Sequence, residues 1–155
     1  MNTRMHGKLL QKRLSELNNA LFFEEGNALI KLPNSCVTDM AIEATEIFFL
    51  LPKPAQDISA FDVEFPARLD FFKKGKEFRI KIRGKATLIA DPIEIASRCA
   101  ASTQLQHKTI DNAIMIKVDI QYVDYAGNMN ESFSNRLKQQ VTGWLFAGNS
   151  LSFAE

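Results

Sequence analysis

The chain has 155 residues, 46% of them apolar and 24% charged, with a formal net charge of +1. That length supports one domain that buries about two-thirds of its unfolded surface without staples or metal. Near-neutrality supplies no field that would recruit nucleic acid or anionic lipid, so neither is an expected partner.

Residues 4 to 18 carry Leu10, Leu14 and Leu17 at helical spacing, continued by Leu21, with charges between them, and read as an amphipathic helix ending near Asn18 and Asn19. Those charges also interrupt the apolar core a signal peptide would need. The run Ile47 to Leu51 is far short of the roughly 18 residues of a spanning helix, so a soluble cytoplasmic protein without a membrane span is expected. "ALFFEEGNALIKLP" gives two short apolar segments around Glu25-Gly26-Asn27, a hairpin signal. "EIFFLLPKP" is a third strand closed by two prolines. "PAQDISAF" starts on Pro54 and sets Ile58 and Phe61 on one side, as a short helix would.

"PARLDFFKKGKEFRIKIRGKATLIADP" reads as two strands around Lys74-Gly75-Lys76. In the second, Phe78, Ile80, Ile82, Gly84, Ala86 and Leu88 share one face, while Arg79, Lys81, Arg83, Lys85 and Thr87 share the other. A strand of such length is expected to bend through Gly84 and serve both sides of a curled sheet. The cationic row is either an anion grip or a solvated face paired with Asp119 on a neighbouring strand, and alternation on strands favours the solvated face. Asp91-Pro92 caps and opens a helix with Ile93, Ala96 and Ala100 on one stripe. "NAIMIKVDIQYVDY" is a further long strand pointing Ile114, Ile116, Val118, Ile120 and Tyr122 one way. "ESFSNRLKQQVTGWLF" places Phe133, Leu137, Val141, Trp144 and Leu145 on one helical face. No repeat or linker supports a second domain, so residues 1–155 are expected to form one.

Six strands in near-antiparallel order with helices at the start, middle and end make an α+β plan, and long bent strands that abolish exposed edges point to a small barrel with peripheral helices. Cys36 and Cys99 lack CxxC or His pairing and are expected reduced and buried. His6 and His107 have no second ligand at metal spacing. No nucleophile motif or general base stands out, so reaction chemistry would reside in a bound cofactor. Twelve Phe, against two Tyr and one Trp, are many for one small barrel to hide and suggest an interface. An oligonucleotide-binding barrel reading bases with those rings would need an electropositive groove that the total charge does not promise.

The order from "ALFFEEGNALIKLP" through "EIFFLLPKP" to "FPARLDFFKKGKEFRIKIRGKATLIADP", with Gly84-Lys85-Ala86 as its most telling piece, resembles the pyridoxamine 5′-phosphate oxidase-like split-barrel family and its small stress-protein-like members. The resemblance spans roughly residues 15 to 92. It implies a six-stranded antiparallel split β-barrel and a homodimer holding flavin mononucleotide (FMN) in clefts between subunits, with a small-molecule ligand there. Family members oxidise pyridoxal-type substrates, reduce flavins, or bind deazaflavin or haem, and fold alone does not choose among these. The family's basic residue before the proline of the second strand is here Leu32, before Pro33, with Lys31 one place earlier. Asp57 stands close to where flavin-holding members carry a cation, and Lys53 is the candidate substitute. Lys31, Pro33, Asn34, Ser35 and Lys53 are thus candidate phosphate-pocket residues, with turn and cap chemistry as the equally available reading. Lys85 is kept from the family-like motif, and Trp144, with Phe146, could close over a flat ring. Two functions follow: an FMN-dependent oxidoreductase of unassigned substrate, or a non-catalytic dimeric binding protein that kept the fold and lost flavin.

Overall fold

The computed structural model describes residues 3–106, 108 and 111–127. The expected helix over residues 133–145, Trp144, Phe146 and His107 lie outside them, as does the side chain of His6. The leucine spacing is met: α1 spans Thr3–Leu17 and buries Leu10, Leu14 and Leu17. It stops where Asn18 turns left-handed (φ 55°) while its N–H still reaches the Leu14 carbonyl at 3.0 Å. Leu21 is not part of that stripe: it belongs to the next strand and faces outward.

Seven strands follow, not six: β1 Ala20–Glu24, β2 Ser35–Val37, β3 Ala41–Glu43, β4 Glu46–Pro52, β5 Glu64–Phe71, β6 Phe78–Ile89 and β7 Ala113–Gly127. They form one antiparallel sheet in the order β2-β1-β5-β6-β7-β4-β3. Curling brings the two sheet edges together, β2 lying beside β4 without ladder bonds, which makes a half-barrel. Two departures from expectation explain the count. "ALIKLP" is not a strand: the partner of β1 is Ser35–Val37, with Ala20 opposite Val37 and Phe22 opposite Ser35. The Leu32 N–H is taken by a side chain and Pro33 has no N–H, so this stretch has little to give a ladder. The extra strand β3 folds back on β4 through Ala44 and Thr45, with Ala44 at φ 46°, a turn without the Gly or Asn that would advertise it.

The long strands behave as their alternation predicts. Phe78, Ile80, Ile82, Ala86 and Leu88 of β6 are buried against Phe22, Phe49, Phe65 and the α1 leucines, and Phe22 meets Phe49 and Phe65 edge-on at 5.5 and 6.3 Å. Arg83 pairs with Tyr122 but Gly84 pairs with Ile120, so Gln121 is an extra residue in β7, bulged out at the glycine. Ile114, Ile116, Val118 and Ile120 face inward as expected. Beyond the bulge the phase slips: Tyr125 is buried beside Phe78, and Tyr122 stands outside with Arg83. A Cβ on Gly84 would run into the Asp119 carbonyl, so the glycine is there for close approach at the crease.

The prolines after β4 lead into a single 3-10 turn, Ile58–Ala60, capped by Asp57. α2 spans Pro92–Ala100, with Asp91 accepting the Ile93 N–H at 3.1 Å. Its buried pair is Ile95 and Cys99, packed on Phe48, Ile89 and Met115, while Ile93 is 80% exposed, so the expected stripe is rotated. This packing covers the outer face of β4 and the start of β7, which is why Ile47, Phe48 and Phe49 are all buried. Among the described residues no helix is long and apolar enough to cross a membrane.

Candidate functional site

Strand direction sorts the candidates. β1 ends, β2 starts, β4 ends and β5 and β7 start at one end of the half-barrel, so residues 31 to 35 and 53 to 57 lie at that same end. Lys31, Pro33 and Asn34 are exposed, Ser35 is half-buried and Lys53 is exposed, its backbone N–H bonded to the Asn112 carbonyl at 2.9 Å. The Ser35 hydroxyl donates to the Pro33 carbonyl at 3.0 Å, which is turn chemistry. Lys85 is set apart on the outer face of β6, in register with Asp119, yet its ion pair at 3.1 Å is with Glu64.

Asp57 occupies the slot where the family resemblance implies a cation. One oxygen accepts from both the N–H and the hydroxyl of Ser59 at 3.0 Å, capping the 3-10 turn. Those two hydrogen bonds, with Lys53 nearby, hold its carboxyl below the usual aspartate range, so the position is a fixed anion.

The rest of the outer face of β1, β5 and β6 is a charge lattice. Glu25 bridges Arg68 at 2.9 Å and Arg83 at 3.3 Å; Arg68 lies over the Phe23 ring at 4.1 Å and its Nε is 3.3 Å from Asp70, a charge contact rather than a hydrogen bond. The cationic row therefore reads largely as the solvated, paired face. Toward the opposite end of the sheet a groove of about 470 Å³ opens between Leu21, Asp70, Phe72, Arg79, Lys81 and Asp124. The sequence flagged Arg79 and Lys81 but not this hollow; the signal was the row Asp70-Lys81-Asp124, which only strand register aligns.

Cys99 is buried, and burial pushes its thiol pKa up, which makes it a poor nucleophile; Cys36, expected to be buried, is exposed because it sits on the outward face of the edge strand β2. Neither forms a disulfide.

A phosphate monoester would find ammonium groups (Lys31, Lys53) and an amide (Asn34) as donors at the proline end, with the Ser35 hydroxyl available only by leaving the Pro33 carbonyl and with Asp57 as the opposing charge. No family model matches the chain, and no curated protein does. Solved structures do. A general stress family protein of Xanthomonas campestris pv. campestris superposes with a TM-score of 0.54 at 13% identity, over 84% of this chain and 92% of that one. A general stress FMN/FAD binding protein of Xanthomonas citri gives 0.53 at 15% identity, over 83% and 92%. A Clostridium acetobutylicum protein related to general stress protein 26, of the pyridoxinephosphate oxidase family, gives 0.53 at 8% identity, over 84% and 93%. These likenesses show the fold, and the descriptions of those proteins match the family that the sequence resembles.

Proposed function

We propose that the chain is a cytoplasmic, homodimeric FMN-binding protein of the split-barrel type and works as a flavin-dependent oxidoreductase on a small molecule in the cleft between subunits. The observation that carries the reading is the donor set of Lys31, Asn34, Ser35 and Lys53 at one end of a fold shared with a general stress FMN/FAD binding protein. Lys31 and Lys53 would hold the phosphate, Asn34 and Ser35 would orient it, and β-strand walls would keep water from the ring. When bound, the flavin supplies the electron chemistry, which no side chain among the described residues is placed to supply. Trp144, outside the described residues, is the candidate to cover the ring.

The test is an FMN titration of the purified chain, followed by flavin fluorescence. Stoichiometric quenching supports the reading, and no uptake removes it. A second reading has its own observation: Asp57, held ionised by Ser59, opposes an anion at the expected phosphate position. On that reading the chain is a dimeric binding protein of the same fold without flavin, and tight FMN binding would end it.

A further inference from the structure

Glu24 is the only charged side chain in the core among the described residues, 8% exposed. It closes β1 on the inward face shared by Ala20 and Phe22, with Ala67 opposite. Its Oε1 accepts the Leu32 N–H at 2.9 Å, while Oε2 is buried with no hydrogen-bond partner among the described residues. A buried carboxylate oxygen left unpaired is destabilising, and an aliphatic side chain would serve the core better. What the carboxylate provides is a hold on one backbone group eight residues ahead.

That group matters because residues 25 to 34 have no regular secondary structure. Glu25 ties the start of the segment to the Pro66 carbonyl and β2 ties its end. Between them, apart from the local bond of the Ser35 hydroxyl to the Pro33 carbonyl, the bond to Glu24 is the one backbone anchor among the described residues. Leu32 is 3% exposed while its neighbours Lys31 and Pro33 face out, so fixing Leu32 inward fixes which way Lys31 points.

We infer that Glu24 is a positioning residue: through the Leu32 N–H it straps residues 26 to 34 across the barrel mouth and sets Lys31, Asn34 and Ser35 for the anionic end of the ligand. The ligand arm of this inference rests on the flavin reading above; the strap does not.

The experiment compares the full chain with Glu24→Leu, Glu24→Ala and Glu24→Gln by amide exchange over residues 26 to 34, urea midpoint and FMN affinity. Glu24→Leu and Glu24→Ala remove the acceptor and are expected to lose protection at Leu32 and to weaken FMN binding about tenfold, the effect of one lost charge-assisted bond. Glu24→Leu should do so with a urea midpoint equal to or above that of the parent. Glu24→Gln keeps a carbonyl acceptor and is expected to restore most of both. Unchanged Leu32 protection in either acceptor-free variant overturns the inference, as does a loss of FMN affinity that Glu24→Gln does not rescue. Should Glu24→Leu fail to fold, the smaller Glu24→Ala decides. A parent chain that takes up no FMN overturns the cofactor reading alone, and the strap then stands or falls on exchange.

Discussion

At the scale of single residues, Asp57 and Gly84 show how one side chain, or its lack, settles a neighbourhood. Asp57 does local work, capping Ile58–Ala60 through Ser59, and its charge is what a bound phosphate would meet. Because hydrogen bonds to the ionised form lower its folded pKa below the value of about 3.9 expected when unfolded, its contribution to stability is complete above that pH and is lost as pH falls through the lower folded value. Asp57→Asn keeps the capping oxygen and deletes the charge. It is expected to fold with a midpoint at neutral pH slightly below the parent's, because the hydrogen bonds from Ser59 lose their charged acceptor, and to tighten FMN about fivefold, the scale of one exposed charge contact, in the same fluorescence titration. Unchanged affinity would mean that the phosphate does not lie near residue 57. Gly84 has no such tolerance: any Cβ there meets the backbone of Asp119 on the paired strand, and backbone cannot step aside without breaking the ladder. Gly84→Ala should lower the unfolding free energy by about 3 kcal/mol in urea denaturation.

Among the elements, the bulge in β7 decides which side chains build the core. Before Gln121 the inward set is Ile116, Val118 and Ile120; after it, the extra residue hands the inward place to Tyr125 rather than Tyr122. Deleting Gln121 removes only the extra residue, sets Tyr122 directly after Ile120 and keeps Tyr122 outward and Tyr125 inward, so the deletion should retain cooperative unfolding by circular dichroism. Gln121→Ala keeps the count and should shift stability by no more than about 0.5 kcal/mol. The same contrast explains what the sequence made legible. Elements whose face is set by period alone came through: Leu10, Leu14 and Leu17 of α1, β6, β7 as far as Ile120, and the Asp91 cap. Those set by partners did not. β3 has no turn signature, α2 is rotated because it packs on Phe48 and Met115, and β2 begins only after Pro33 because Glu24 claims the Leu32 N–H. At the candidate site the residue types were readable, since turns and strand ends concentrate Pro, Asn, Ser and Lys. Glu24 was not, because a carboxylate beside "FF" in a short strand gives no sign of facing inward.

At the scale of the molecule, the Phe side chains among the described residues do not carry the aromatic argument for a dimer. Of the nine Phe among the described residues, seven (22, 48, 49, 61, 65, 71 and 78) are buried within one chain, and only Phe23 and Phe72 are half-buried. A half-barrel with α1 in its concavity and α2 on its back does hide them. What one chain leaves in water among the described residues is a different set, Leu21, Ile30, Val63 and Ile93, with Leu29 at 104% exposure. Leu29 makes no packing contribution inside the subunit, so replacing it with a charge has little to disturb in an isolated chain. That separates association from folding. If the protein is a homodimer whose interface uses this rim, light scattering at micromolar concentration gives twice the 17.5 kDa chain mass, and Leu29→Asp shifts the population to monomer with the amide protection of β6 and β7 retained. A parent chain at single mass removes the dimer, and a Leu29→Asp variant that stays paired moves the interface off the Leu29 rim, toward the outer face of β1, β5 and β6 where Leu21 and Phe23 stand among the ion pairs. The two outcomes differ for function as well: only an interface at the rim would place a partner against Lys31 and Lys53, closing the phosphate end of the proposed site from outside.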